Sequence, residues 1–303
     1  MIELSRLRAL DALAKFGSVN AAAVALHCTP SAISQQLAKL ERETATVLAE
    51  KDGRGLRLTD AGRLLAASAV AILDQVEQAT AALAAHQQTV TGRVTIASFA
   101  TGCRALLPSA LAALHEQHPQ LATSLIETNP YEAMAALARG AVDVAVLDDW
   151  PEVGLHLPDG MSCVDLGFDT VDLIVADSHR LAARQSVSLE EARGERWIAS
   201  PPGTICHDWL VRVLPGITAD YLVGEFETQM TLIAAELGVA LIPRLARRSL
   251  LAGVRAIEVT PMPTRRVMVA WRTSSAARPA VSATVEALKN AWVSAARPVP
   301  AKP

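Results

Sequence analysis

Residues Asn20–Glu41, NAAAVALHCTPSAISQQLAKLE, constrain the fold more than any other stretch of the chain. They read as two short helices meeting at a tight joint. Asn20 is placed to cap the first, in which Ala21, Ala22, Ala23, Ala25 and Leu26 are small or apolar helix formers. Thr29 is placed to cap the second, with Pro30 at the first helical position, where its missing N–H costs nothing. Ile33, Leu37 and Leu40 recur at helical spacing and share one face. Ser31, Ser34, Gln35 and Ala38 fall on the opposite face, which is short, polar and nearly uncharged. Such a face suits a major groove, where hydroxyls and amides hydrogen-bond to base edges. Taken alone, the stretch reads equally as a surface pair of helices with a polar outer side.

The stretch Ala21–Glu41, followed by GRGLRLTDAG at Gly53–Gly62, resembles the N-terminal region of LysR-type transcriptional regulators. That family has an Ala-Ala pair, a Ser/Thr cap, a small-residue Ala-Val/Ile-Ser core, Gln-Ile/Leu and Leu-Glu. A Gly-Arg-x-x-x-Leu-Thr-x-Ala-Gly wing follows. This chain departs at Thr44-Ala45, where Leu-Gly is usual, and at Leu48-Ala49-Glu50-Lys51, where Leu-Phe-x-Arg is usual. The resemblance implies a winged helix–turn–helix whose DNA-binding residues are Ser18, Asn20, Thr29, Pro30, Ser31, Ser34, Gln35, Lys39, Arg54 and Arg57. Ser34 and Gln35 are expected at base edges, with Thr29, Ser31 and Arg54 on the backbone. Arg54 and Arg57 flank the Asp52–Gly55 turn of the wing, within reach of phosphates or the minor groove; as plain hairpin arginines they would only be solvated.

Length and charge agree with a small DNA-contacting module on a larger protein. The chain has 303 residues, enough for two or three domains. Hydrophobic residues make up 51% and charged residues 19%, so core material is plentiful and global disorder is excluded. The net charge of −3 argues against a protein that coats nucleic acid. Residues 1–63 carry nine cations against seven acids. So small a surplus implies few phosphate contacts per subunit, and several subunits per site. Met1-Ile2-Glu3 opens with neither a basic start nor a long apolar run, so no signal peptide is expected. No apolar stretch is long enough to span a membrane. Cys28, Cys103, Cys163 and Cys206 are widely scattered, as suits reduced thiols and a cytoplasmic location.

Thr59 is placed to cap a long helix that runs to about Gln88, with Asp60 in its first turn. Leu65, Ala69, Ile72, Val76, Ala79 and Leu83 follow alternating four- and three-residue spacings, a heptad seam. Little sequence surrounds this helix to cover the seam. It reads either as a helix packed on its own domain or as one paired with a second copy. The linker helix of LysR-type proteins dimerises, so the resemblance implies a homodimer or homotetramer with Leu65, Ile72, Val76 and Leu83 as dimerisation residues.

From Thr91-Gly92 onward strands and helices alternate, which implies a mainly parallel sheet. Strands are expected at Arg93–Ala97, Leu121–Glu127, Val142–Leu147, Val164–Leu166, Val171–Val175, Trp197–Ala199, 221–225, Val239–Ile242, 254–259 and 265–271. Helices are expected at Thr101–His118, Pro130–Arg139, 188–193, 205–213, 228–237 and 279–295. The segments Gly92–Ala97, Leu107-Pro108 and Glu236–Pro243 resemble the effector domain of LysR-type regulators, which is built like periplasmic solute-binding proteins. The expected fold class is therefore α/β with an all-α N-terminal part. It comprises a winged helix–turn–helix at 1–58, a linker helix at 59–90 and a two-lobed periplasmic-binding-protein-like effector domain at 91–303. Lobe one takes 91–165 and 266–303, and lobe two takes 166–265.

No enzyme motif is present: the chain lacks G-x-S-x-G, H-E-x-x-H, a P-loop and a paired C-x-x-C. Cys206-His207-Asp208 are neighbours on a helix and diverge by about 100° each, so they form no relay. His115 and His118 share a helix face but lack a third ligand, so neither a metal nor a cofactor is expected. In open α/β sheets, ligands sit where strands end and helices begin. Here those joints hold Ser98, Phe99, Ala100, Thr101, Gly102 and Cys103 in one lobe, and Ser200, Pro201, Pro202 and Thr204 in the other. Thr128, Thr228 and Gln229 occupy comparable joints. Each of these is an ordinary cap taken singly; as a group they outline an effector cleft, with Arg104 the one cation in its segments. Cys103 and Cys206 lie near helix starts, where a thiolate is favoured. The expected function is a sequence-specific DNA-binding regulator modulated by a small-molecule effector, and not an enzyme. A solute-binding or redox-sensing protein on the same scaffold is the alternative.

Overall fold

The computed structural model describes residues 2–26, 28–52, 55–86, 90–247 and 250–295. The chain divides into two compact units, Met1–Thr89 and Val90–Pro303.

The first unit holds α1 (Leu4–Phe16), α2 (Val19–Ala25), α3 (Pro30–Thr44), a hairpin of β1 (Ala49–Asp52) and β2 (Gly55–Leu58), and α4 (Asp60–His86). Its core gathers Leu7, Leu10 and Leu13 of α1, Ala22 and Ala23 of α2, Ile33, Leu37 and Leu40 of α3, and Leu48, Leu58 and Ala69. The cap of α2 is Ser18, whose hydroxyl accepts the Ala21 N–H, and not Asn20. The chain leaves Gly17 at φ 72°, so helix geometry resumes two residues earlier than the alanine run suggests, and Asn20 lies exposed within the helix. Thr29 caps α3 and Thr59 caps α4 through their hydroxyls. Residues 87 and 88, the expected end of α4, lie outside the described residues, as does Arg54.

Two departures from the LysR-type pattern have visible substitutes. Ala45 ends α3 in the left-handed region at φ 49°, the conformation that glycine favours. Glu41 reaches from α3 to accept the N–H groups of Leu48 and Ala49 at 2.8 and 3.1 Å, and this ties the hairpin to the helix.

The second unit starts with β3 (Gly92–Ser98), α5 (Ala100–Ala105), α6 (Leu107–Gln117), β4 (Leu121–Glu127), α7 (Pro130–Ala138) and β5 (Val144–Asp149). It continues through β6 (Met161–Ala176), β7 (Ser186–Val187), β8 (Trp197–Ala199), α8 (Ile205–Val213), β9 (Ala219–Leu222), α9 (Phe226–Ala234) and β10 (Ala240–Pro243). It closes with β11 (Val254–Val259), β12 (Thr264–Arg272) and α10 (Pro279–Ala295). The helix expected at Thr101–His118 is two helices, because Pro108 has no N–H to carry the hydrogen-bond ladder through the joint at Leu106. No helix forms at 188–193. Ser188 and Glu191 do cap one another, but they close only isolated turns before Gly194.

The sheet is mixed, not mainly parallel. β4, β3 and β5 run parallel, and β12 is antiparallel to both β5 and β6. The two strands expected at Val164–Leu166 and Val171–Val175 are one strand, β6. Its Met161–Thr170 portion pairs with β12, and its Val171–Ala176 portion lies between β10 and β11. This single strand thus serves two lobes, and the chain returns between β11 and β12. Helices α6 and α10 cover one face of the first lobe's sheet, around Ile96, Leu107, Val146 and Leu288. Helix α7 covers the other face. In the second lobe, α8 and α9 enclose separate cores around Trp197 and Ile233.

Candidate nucleic-acid interface and effector cleft

The outward face of α3 is built by its own burial pattern. With Ile33, Leu37 and Leu40 at 2%, 3% and 0% exposure, Pro30, Ser31, Ser34, Gln35, Ala38 and Lys39 must face solvent, and all do. Thr29 and Ser31 share a hydrogen bond of 2.9 Å, and the Ser34 hydroxyl donates to the Pro30 carbonyl at 3.1 Å. The hydroxyls are therefore oriented while Gln35 and Lys39 stay free of partners among the described residues. Ser18 is half-buried in its cap. Arg57, on the hairpin, pairs with Glu50 at 2.8 Å and is exposed. Along α4, Leu65 is half-buried against the unit's core, Val76 is half-buried, and Ile72 and Leu83 are 41% and 68% exposed.

In the second unit the candidate residues sort into those already satisfied and those that are not. The Thr128 hydroxyl donates to Glu132. Thr204 caps α8 and also donates to Pro201 O at 2.8 Å, and Thr228 is tied to Glu225. Ser98 is buried, and its hydroxyl donates to Phe99 O at 3.2 Å. A Cβ at Gly102 would come within 2.4 Å of that hydroxyl, so a larger residue there would force Ser98 to shift. Pro202 is exposed, while Ala100, Cys103 and Pro201 are half-buried. Gln229 is 2% exposed and donates to Val223 O. Thr101, at 1% exposure, and Ser200, at 8%, are buried with no side-chain partner among the described residues.

Residues that sequence reasoning missed tie the two lobes together. Arg265 of β12 is buried between Asp148, at 3.0 Å, and Asp169, at 2.9 Å, with the Phe99 ring 5.1 Å from its guanidinium carbon. Burial pulls the guanidinium down, yet the two carboxylates outweigh it and hold it above its ordinary value. Burial pushes the Asp148 carboxyl up, against the pull of Arg265. Arg104 of α5, expected as a ligand anchor, instead reaches Glu225 and Glu227 of the other lobe at 2.8 and 2.7 Å. Tyr131 of α7 donates to Asp208 of α8 at 2.8 Å; burial first, then this carboxylate, push the phenol up to about 12. Asp148-Asp149-Trp150, charges directly after an apolar strand, was the available signal for part of this cluster.

Neither Cys103 nor Cys206 is an activated thiol. Burial pushes the Cys103 thiol up. Burial, reinforced by Asp148, pushes the Cys206 thiol up to about 12, overriding the expected effect of a helix start. All four cysteines are free, and Asp208 is engaged by Tyr131 rather than in a relay. His115 bonds Thr123 at 3.0 Å, and among the described residues no cluster could hold a metal ion.

Residues 4–63 match the family model described as bacterial regulatory helix-turn-helix protein, lysR family, and residues 87–293 match the LysR substrate binding domain. The chain belongs to the LysR family of transcriptional regulators. Among its LysR-family relatives is the HTH-type transcriptional regulator MetR of Escherichia coli (strain K12), 31% identical over 80% of this chain and 75% of that protein. The DNA-binding transcriptional dual regulator OxyR of the same strain is 26% identical over 93% of both. Full-length OxyR from Pseudomonas aeruginosa, solved as a single-residue variant, shares the fold with a TM-score of 0.73 and 21% identity, covering 96% of this chain and 97% of that one. As a LysR-family regulator, the chain couples a DNA-binding helix–turn–helix module to an effector-binding domain. No described helix is long and apolar enough to cross a membrane.

Proposed function

We propose that this regulator reads base edges with Ser34 and Gln35 and controls that binding through a small molecule held between the lobes of its effector domain. The observation that carries the reading is a pair of hydroxyls with no side-chain partner among the described residues, Thr101 in one lobe and Ser200 in the other, on residues only 1% and 8% exposed. Such hydroxyls, held nearly out of solvent and uncommitted within the protein, favour a polar ligand that bridges both lobes. Thr29, Ser31, Lys39, Arg54 and Arg57 position the recognition helix on the phosphates, and Ser18 and Asn20 support it. Residues 1–58 form the DNA-binding domain, 59–90 the linker and 91–303 the effector domain.

The exposed seam at Ile72 and Leu83 supports pairing of α4 with a second copy, giving a dimer or tetramer. Ligand affinity that differs between lobe arrangements shifts their populations and, through the linker, the spacing of the DNA-binding heads. The protein is a cytoplasmic regulator and not an enzyme. The test is DNA affinity across a metabolite panel for the wild type, Thr101→Phe and Ser200→Phe. Both variants are expected to bind DNA nearly normally and to ignore the effector; a normal response in both removes the cleft assignment.

A further inference from the structure

Trp150 follows β5 of the first lobe, but its indole is buried in the second lobe's core at 1% exposure. It stacks on Trp209 of α8, with ring centroids 4.0 Å apart at 16°. Its Nε1–H is buried and makes no hydrogen bond among the described residues. The indole influences the Cys206 thiol, yet that sulfur does not take the proton in a bond of good geometry. A cavity of about 20 Å³ lies at this point, bounded by Trp150, Ser200, Cys206, Phe226 and Gln229. That is room for about one water-sized group. Ser200 is the second unpartnered polar side chain on its wall, 8% exposed.

The charge of the neighbourhood narrows the chemistry. Asp148 and Asp169 both raise the Cys206 thiol, opposed by the charge of Arg265 and by the Trp150 indole. The cations of the region are committed: Arg265 to Asp148 and Asp169, Arg104 to Glu225 and Glu227, Arg244 and Arg247 to Asp172. An anionic group entering the cavity would meet a largely apolar wall that carries no cation. Its desolvation would go uncompensated. An uncharged acceptor meets instead the Trp150 N–H and the Ser200 hydroxyl, neither of which has a hydrogen-bond partner of good geometry among the described residues.

We propose that this cavity is the specificity pocket of the effector cleft, and that it takes an uncharged carbonyl, of an amide or ketone, between the Trp150 N–H and the Ser200 hydroxyl. The inference rests on the cleft reading above and adds the class of ligand. The carbonyl oxygen fills the water-sized cavity while the remainder of the molecule lies in the cleft.

The test titrates the full chain by calorimetry with benzamide and benzoate, which match in shape and differ in charge. Benzamide is expected to bind at least about tenfold more tightly than benzoate. Trp150→Phe keeps the stacked ring and removes only the N–H, and Ser200→Ala removes only the hydroxyl. Each is expected to weaken benzamide by about threefold to tenfold without changing benzoate. Thermal unfolding of both variants confirms that they fold; if Trp150→Phe does not, Ser200→Ala carries the test. No benzamide binding, equal or tighter benzoate binding, or an unchanged benzamide affinity in the folded variants overturns the proposal. The cleft reading fails separately, when Ser200→Phe and Thr101→Phe keep a normal effector response. If they lose it while benzoate outbinds benzamide, the cleft stands and only the uncharged-carbonyl assignment falls.

Discussion

Arg265 and Asp169 face one another on β12 and β6, the two strands that carry the chain between lobes, with a guanidinium-to-carboxylate distance of 2.9 Å and both side chains buried. Asp148, at the end of β5, takes the other side of the same guanidinium. Removing the cation strands two carboxylates where water does not reach. Arg265→Ala is expected to destabilise the effector domain by about 3–5 kcal/mol in urea unfolding. A loss below about 1 kcal/mol would mean that the carboxylates find other partners or simply take up protons.

Glu225 gives a pH dependence of definite sign. Burial pushes its carboxyl up, but the N–H groups of Thr228 and Glu227, and then Arg104, outweigh burial and hold it below its ordinary value. A carboxyl depressed in the folded state stabilises above the ordinary glutamate range, and that contribution is lost as pH falls through the lowered value. Between about pH 6 and about pH 3, the melting temperature of the wild type should therefore fall more steeply than that of Glu225→Gln. Parallel curves would show that neither the helix cap made by Glu225 nor its contact with Arg104 contributes.

On α3 two neighbouring positions are expected to behave differently. Gln35→Ala should weaken a preferred site by about 1–3 kcal/mol and random DNA much less. Lys39→Ala should weaken both alike and lower the slope of log affinity against log salt by about 1. Salt-titrated binding on both DNAs checks the pair, and equal losses for Gln35→Ala would move that residue to the phosphate contacts.

Ala45 holds a conformation in which its Cβ is strained, at φ 49° and ψ 33°. Ala45→Gly should raise stability by about 0.5–1 kcal/mol, because the relief of strain exceeds the added entropy of the unfolded glycine. Thermal unfolding of the DNA-binding unit reads this directly, and a lower midpoint would place the strain elsewhere.

The seam on α4 is tested by charge. Ile72→Glu together with Val76→Glu should dissociate the oligomer in sedimentation, since an apolar interface cannot solvate the two carboxylates. An unchanged sedimentation coefficient would mean that this helix face has no partner copy.

Much of the fold was legible in the sequence because local rules set it. Thr29 and Thr59 cap their helices as their positions suggest, and Ile33, Leu37 and Leu40 point inward because helical spacing leaves them no other face. One local expectation fails. Asn20 is placed to cap α2, but the left-handed Gly17 turns the chain back earlier, so Ser18 caps it instead. Residues 167–170 read as a gap between two strands, yet β6 continues through them, its ladder to β12 shifting register between Asp165 and Gly167.

The motif, the caps of α3 and α4 and most of the alternation of strands and helices were therefore determined by the sequence itself, since each depends on residues a few places apart. Only the tertiary structure decided which candidate hydroxyls are already satisfied, that Arg104 bridges two glutamates, and that Trp150 leaves its own lobe for the other. Those outcomes join residues far apart in the chain: Arg104 with Glu225, Asp148 with Arg265, Trp150 with Trp209. The energy of a buried polar or charged group is set by what surrounds it, and no spacing in the sequence records those surroundings.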